Sequence, residues 1–165
     1  MKVLGIDPGT QVTGFGIIRK ENNQLIPVEY GTIRPPAASP LSKRYLVIFD
    51  GIQKIISQYS PDIMAVESSF YLQNMASAMK LSQVRGIVLL AASKASLDIY
   101  EYAPRRVKQA VCGRGGATKL QVQKMVQTLL ALEELPTPTD ASDALAVAIC
   151  HLQSVNSPKP AGKRT

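Results

Sequence analysis

Cysteine is scarce in this chain. Cys112 and Cys150 are its only two, far apart and outside any CxxC pair, so both read as reduced thiols rather than a disulfide or a zinc site. No stretch reaches the roughly 20 uninterrupted apolar residues of a membrane-spanning helix. Asp7 and Pro8 break the first apolar run too early for a signal peptide, so the expected location is the cytoplasm. There is no internal repeat. The absence that says most is of acid. Between Tyr102 and Leu132 there is no Asp or Glu, yet Arg105, Arg106, Lys108, Arg114, Lys119 and Lys124 all lie there. In a chain of net charge +7, such a stretch marks either a surface that faces a polyanion or an ordinary solvated face.

What is present describes one globular domain. The 165 residues are 45% hydrophobic and 19% charged, enough to bury a proper core. Residues 2–6, 12–19 and 24–34 are rich in Val, Ile and Leu and read as strands, with Glu21-Asn22-Asn23 as a hairpin-like break. The loop "RPPAASP" follows. Apolar residues at helical spacing then predict a helix over 41–59 that ends at Ser60-Pro61. Residues 62–67 and 97–102 read as short strands. Helices are expected over 74–95, with Gly86 taken as a sign of close packing, and over 104–111, 118–132 and 140–151, with Thr118 as an N-cap. The order predicts a mixed α/β sheet of five strands flanked by helices. Residues 156–165, basic and without core side chains, are expected to form a mobile tail.

Four acids fall at element ends. Asp7 closes the first strand, Glu67 closes the fourth, and Asp140 and Asp143 begin the last helix three residues apart, on one face. Asp7 before Pro8-Gly9 can simply start a turn, and Asp140 and Asp143 can cap a helix and complement its dipole. Glu67 resists such a reading, because it follows the apolar "IMAV" with no turn residue beside it. If all four converge, they repel unless divalent cations join them, and an all-oxygen donor set suits Mg²⁺ or Mn²⁺. Two such ions can drive phosphodiester hydrolysis, which fits a basic surface nearby. Lys119 opens a helix after the glycine-rich "GRGG", a place that favours a phosphate; "GRGG" itself lacks the GxGxxG spacing of a dinucleotide loop. Phe70 and Tyr71, just after the fourth strand, can stack on an unpaired base or pack within their loop. His151 reads as a packing or helix-terminal residue.

These segments resemble a known family. "LGIDPGTQVTGFGII", "AVESSF", "NMASAMKLSQVRG", "VKQAVCGRGGATKLQVQKMV" and "TDASDALAVAICH" occur in the order and at the spacing of RuvC, the bacterial Holliday-junction resolvases, over nearly the whole length. The resemblance implies an RNase H-like nuclease domain over 1–155 and a homodimeric, Mg²⁺-dependent crossover junction endodeoxyribonuclease that leaves 5′-phosphate and 3′-hydroxyl ends. It implies two ions per site, with Mn²⁺ able to substitute, and catalytic, metal-holding carboxylates at Asp7, Glu67, Asp140 and Asp143. Some family members carry His at the position of Asp143. Lys108 and Lys119 match lysines that act near the scissile phosphate, Phe70 matches the residue that stacks at the junction centre, and the helix from Asn74 matches the dimer contact. Four-way junction DNA and a branch-migration helicase complex are the implied partners. Ser68 stands where the family often has Gln, and the tail after His151 has no clear counterpart. Two other readings exist. "GIDPGT" is also similar to the phosphate loop of the actin and sugar-kinase ATPases, whose two such domains exceed this length, and a junction-binding protein without catalysis is the third.

Overall fold

The computed structural model describes residues 1–68, 75–155 and 163–164. Its sheet runs β3-β2-β1-β4-β5-β6, formed by β1 (Lys2–Asp7), β2 (Thr13–Glu21), β3 (Gln24–Ile33), β4 (Ile63–Glu67), β5 (Asp98–Tyr102) and β6 (Lys163–Arg164). β1, β2 and β3 form an antiparallel meander, whereas β4 and β5 run parallel to β1. Pro27, which cannot donate to a ladder, is tolerated because β3 is an edge strand. The five long strands are those expected from the sequence. The sixth is two residues of the basic tail, which pair antiparallel with Tyr100 and Glu101.

The period of two along each strand divides the core. Leu4, Ile6, Ile17, Met64, Val66 and Ile99 face α1 (Leu41–Tyr59) and α2 (Met75–Lys94), which contribute Ile48, Ile52, Val84 and Val88. Val3, Ile18, Ala65 and Tyr102 face the other way, toward α3 (Pro104–Cys112), α4 (Lys119–Leu129) and α5 (Thr139–Ser154). Twelve of the 16 residues of α5 are buried, so it fills the core on that side. It lies close to the sheet because Gly5, Gly14 and Gly16 leave room. A β-carbon on Gly5 would overlap the carbonyl oxygen of Ala144, and one on Gly14 that of Asp140; on Gly16 it would come within 2.7 Å of the Leu145 side chain.

Other details depart from the sequence reading. Gly86 does not mark close packing: it is exposed on α2, and a β-carbon there would meet nothing within 4 Å. Helix α4 stops at Leu129 rather than Leu132, and Ala131 takes a left-handed φ of 49°. Both cysteines are unpaired, Cys150 buried and Cys112 half-buried. Among the described residues, no helix is long and apolar enough to cross a membrane.

Candidate active site

The alternation that builds the core also aims the first two carboxylates. Val3, Gly5 and Asp7 share one face of β1, and Ala65 and Glu67 share the same face of β4. The strands are parallel with Ile6 opposite Val66, so the next residue of each, Asp7 and Glu67, ends its strand beside the other on the α5 side. Both open at the C-terminal ends of parallel strands, the edge where α/β sheets place ligands. The turn after Asp7 is pinned from two directions. Thr13 Oγ1 donates to the Gly9 carbonyl at 2.8 Å, and the Arg44 guanidinium donates to the Thr10 carbonyl.

The close seam between α5 and Gly14 brings the start of α5 down to this edge. Pro138 is the N-cap of α5 and no side chain caps it, so Asp140 and Asp143 are not engaged as capping residues. Asp140 is in the first turn; Asp143 comes one turn later. From the other side, Thr118 and Gln121 close a reciprocal capping box that starts α4 at Lys119. Lys119 Nζ donates to Asp143 Oδ2 at 3.4 Å, a contact between residues far apart in sequence.

The result is one open cleft of about 190 Å³, lined by Asp7, Glu67 and Asp143, by Lys108 and Lys119, and by apolar walls that include Leu81, Val107 and Val122. Asp140 lies at its margin, on an adjoining groove that shares Leu81. The electrostatics tie the four acids together. Burial, then the charges of Glu67, Asp143 and Asp140, push the Asp7 carboxyl up to about 8, and Lys119 only partly opposes them. Burial also raises Asp143 against the pull of Lys119, and Asp143 in turn raises Lys119.

A carboxyl held at about 8 is one that cannot keep its charge among its neighbours. A divalent cation removes that conflict, and the donors are the hard oxygens that Mg²⁺ and Mn²⁺ prefer. The residues therefore fit such an ion in chemistry. Among the described residues, no three His, Cys, Asp or Glu side chains are already arranged to hold one.

The basic residues separate into groups. Lys108 and Lys119 enter the cleft. Arg105 is exposed on α3, its side-chain stem against Gly115. Arg114 and Lys124 line a second depression, of about 250 Å³, with Cys112, Gln121, Met125 and Thr128. Arg106 does not join them. Its Nε is buried without a hydrogen-bond partner, and its charge acts on Tyr102 and Cys150 inside the domain. Phe70 lies outside the described residues. His151 is a packing residue: fully buried, its ring lies 4.7 Å from that of Tyr100 at a tilt of 54°, and its Nδ1 lies 2.9 Å from the Tyr102 hydroxyl. The sequence reading missed the glycines that seat α5. Their signal was present, since Gly5, Gly14 and Gly16 all fall on strands next to a helix rich in alanine.

Known proteins resemble this chain in sequence and in fold. The model of the family described as crossover junction endodeoxyribonuclease RuvC matches residues 3–151. The crossover junction endodeoxyribonuclease RuvC of Protochlamydia amoebophila is 54% identical over 151 residues, covering 92% of this chain and 90% of its own. That of Desulfitobacterium hafniense is 49% identical over 156 residues, 94% of each chain. The structure of Thermus thermophilus RuvC in complex with a Holliday junction substrate superposes with a TM-score of 0.92 at 31% identity, covering 100% of this chain and 99% of that one. The yeast mitochondrial Holliday junction resolvase Ydc2, at 11% identity and a TM-score of 0.66, shares the fold.

Proposed function

The chain belongs to the RuvC family of crossover junction endodeoxyribonucleases, and from that premise we infer that it resolves four-way DNA junctions by metal-dependent hydrolysis of phosphodiester bonds. One observation carries the assignment of residues. Three carboxylates and two lysines share one cleft, and one of the acids, Asp7, is pushed up to about 8 by burial and by the charges of Glu67, Asp143 and Asp140.

In this reading Asp7, Glu67, Asp140 and Asp143 would hold two Mg²⁺ ions, which would supply an activated water and neutralise charge on the phosphate. The chain's own groups do the rest. Lys119, 73% exposed and held only at 3.4 Å by Asp143, is loosely enough engaged to turn toward a phosphate oxygen. Lys108, one turn into α3, lines the same cleft and faces the same phosphate. Both lysines oppose the charge that grows on the phosphate oxygens as water attacks in line. Arg105, Arg114 and Lys124 extend the positive surface along the DNA arms, where contacts to phosphate set register and carry most of the affinity. Phe70 is the residue assigned to stacking at the junction centre. Selection of a junction over a duplex then rests on shape and on unstacked bases. The products carry 5′-phosphate and 3′-hydroxyl ends.

Two symmetric nicks call for two sites, which a C2 dimer supplies. Helix α2 offers the surface. Met75, Met79 and Leu90 are 81%, 61% and 61% exposed, too apolar a row to leave in water, and exposed Gly86 between them lets a second helix approach. A bidentate ion pair from Arg85 to Glu101, at 2.6 and 2.8 Å, ties that helix to β5. A branch-migration helicase complex as further partner rests on the family resemblance.

The test is cleavage of a labelled synthetic four-way junction with Mg²⁺, beside a linear duplex of the same sequence and the Asp7→Asn protein. Paired nicks on the junction alone, lost in Asp7→Asn while junction binding persists, are expected. Tight junction binding without cleavage by the wild-type protein would overturn the catalytic reading.

A further inference from the structure

The catalytic cleft does not end at Leu81. On the far side of that residue a second groove, of about 570 Å³, runs between the turn after Asp7 and the first two turns of α2. Gly9, Thr10, Gln11 and Val12 form one wall, Ser77, Ala78, Lys80 and Leu81 the other, and Asp140 closes the end nearest the carboxylates. The two spaces share Leu81, and the acids that border them, Asp7 and Asp140, are coupled electrostatically. Nothing in the family assignment or in the set of basic residues from 105 to 124 uses this groove.

Its shape and chemistry suit an extended strand. The turn wall is mostly main chain and small or polar side chains, held in place by the Thr13 and Arg44 hydrogen bonds. Such a wall can lie against a sugar-phosphate backbone without reading bases. Lys80 is the only cation among the described lining residues and is exposed; Asp140 is the only acid, and its charge acts on Asp7. A polyanion is therefore repelled at Asp140 unless a cation is present there, and attracted at Lys80. That polarity fits one strand entering from the scissile phosphate and leaving past Lys80.

We propose that this groove carries the cleaved strand out of the active site, with Lys80 as a phosphate partner a few nucleotides from the cut. The proposal rests on the resolvase reading, and the test separates the two. The full-length protein is used throughout. Gln11→Cys, exposed on the turn wall, is labelled with a thiol-linked aryl azide and irradiated on a four-way junction in Ca²⁺; identically treated wild type controls for Cys112. The adduct is expected on the cleaved strand, on one side of the cut and within a few nucleotides of it. In parallel, Lys80→Ala is expected to weaken junction binding by roughly 5–10-fold at 0.1 M salt and to lower the slope of log K against log salt by about 0.9, the signature of one lost phosphate contact. Lys80→Arg keeps the slope, and so does Lys20→Ala at the opposite end of the molecule. If wild type fails to nick the junction, the resolvase reading falls and this one with it. If wild type nicks normally, an adduct absent from the cleaved strand, or a Lys80→Ala slope equal to wild type, overturns the groove alone.

Discussion

Replacing Asp7 by Asn should abolish cleavage and yet stabilise the metal-free protein. The reason lies in the position of the Asp7 carboxyl, held at about 8 in the folded chain against 3.8 ordinarily. Between those values the folded protein keeps a proton on Asp7 that the unfolded chain has released. The folded state thus binds more protons, and stability falls as pH rises through this window. At ~1.4 kcal/mol per pH unit, the cost reaches roughly 4 kcal/mol at pH 7. Asn has a similar shape and no charge to neutralise, so Asp7→Asn regains up to that amount. Urea unfolding in EDTA at pH 5, 7 and 8 measures it. The wild-type midpoint should drop steadily across the series, while that of Asp7→Asn should lack this slope and lie well above wild type at pH 8. Adding Mg²⁺ should then raise the wild type far more than the variant. Parallel pH profiles for the two proteins in EDTA, or equal stabilisation by Mg²⁺, would refute the claim that Asp7 is the carboxyl short of a cation.

Gly14→Ala places a methyl group against the Asp140 carbonyl and must push α5 off the sheet; a loss of about 1–3 kcal/mol in thermal or urea unfolding is expected, with cleavage reduced more than junction binding. Lys119→Met removes a cation from the cleft while keeping most of the unbranched side chain, and should slow single-turnover cleavage by on the order of 10²-fold while junction affinity falls less than tenfold. Met79→Glu puts a charge in the exposed row of α2 and should shift the protein to monomer in sedimentation, with paired nicks giving way to single ones. His151 titrates the other way from Asp7. Burial holds it down to about 4 from 6.5, so below pH 6.5 the unfolded chain takes up a proton that the folded chain refuses. Stability should fall as pH drops from 6.5 toward 4, by up to roughly 3 kcal/mol, and His151→Gln should flatten that acid limb in an unfolding series.

The strands and helices could be read from the sequence because their signals are local. Runs of Val, Ile and Leu marked β1, the apolar "IMAV" marked β4, helical spacing marked α1, and Thr118 marked the start of α4. Two of the four carboxylates were also legible as partners, since Asp140 and Asp143 are three apart on a helix. Contacts between distant segments were not. The ion pair of Lys119 with Asp143 depends on how α4 crosses α5, which no spacing encodes. Arg105 and Arg106 look alike in a run of positive charge, but adjacent helix residues point about 100° apart, so one reaches solvent and the other is turned inward. Gly86 shows the same limit from another side. A glycine among small helical residues signals close approach, and within this chain nothing approaches.

Helix α5 carries Asp140 and Asp143 and is also the most deeply buried helix in the domain. Its first turns cannot shift without opening the seam at Gly14 and Gly16, and so without disturbing the central strands. The candidate site is in this sense continuous with the foundation. On the proposed function, a junction meets first turns of α5 that are seated on the sheet, and the bending and unstacking needed to seat a phosphate then fall on the DNA. A linear duplex, stiff and stacked throughout, resists that demand; a four-way junction, already open at its centre, meets it at little cost.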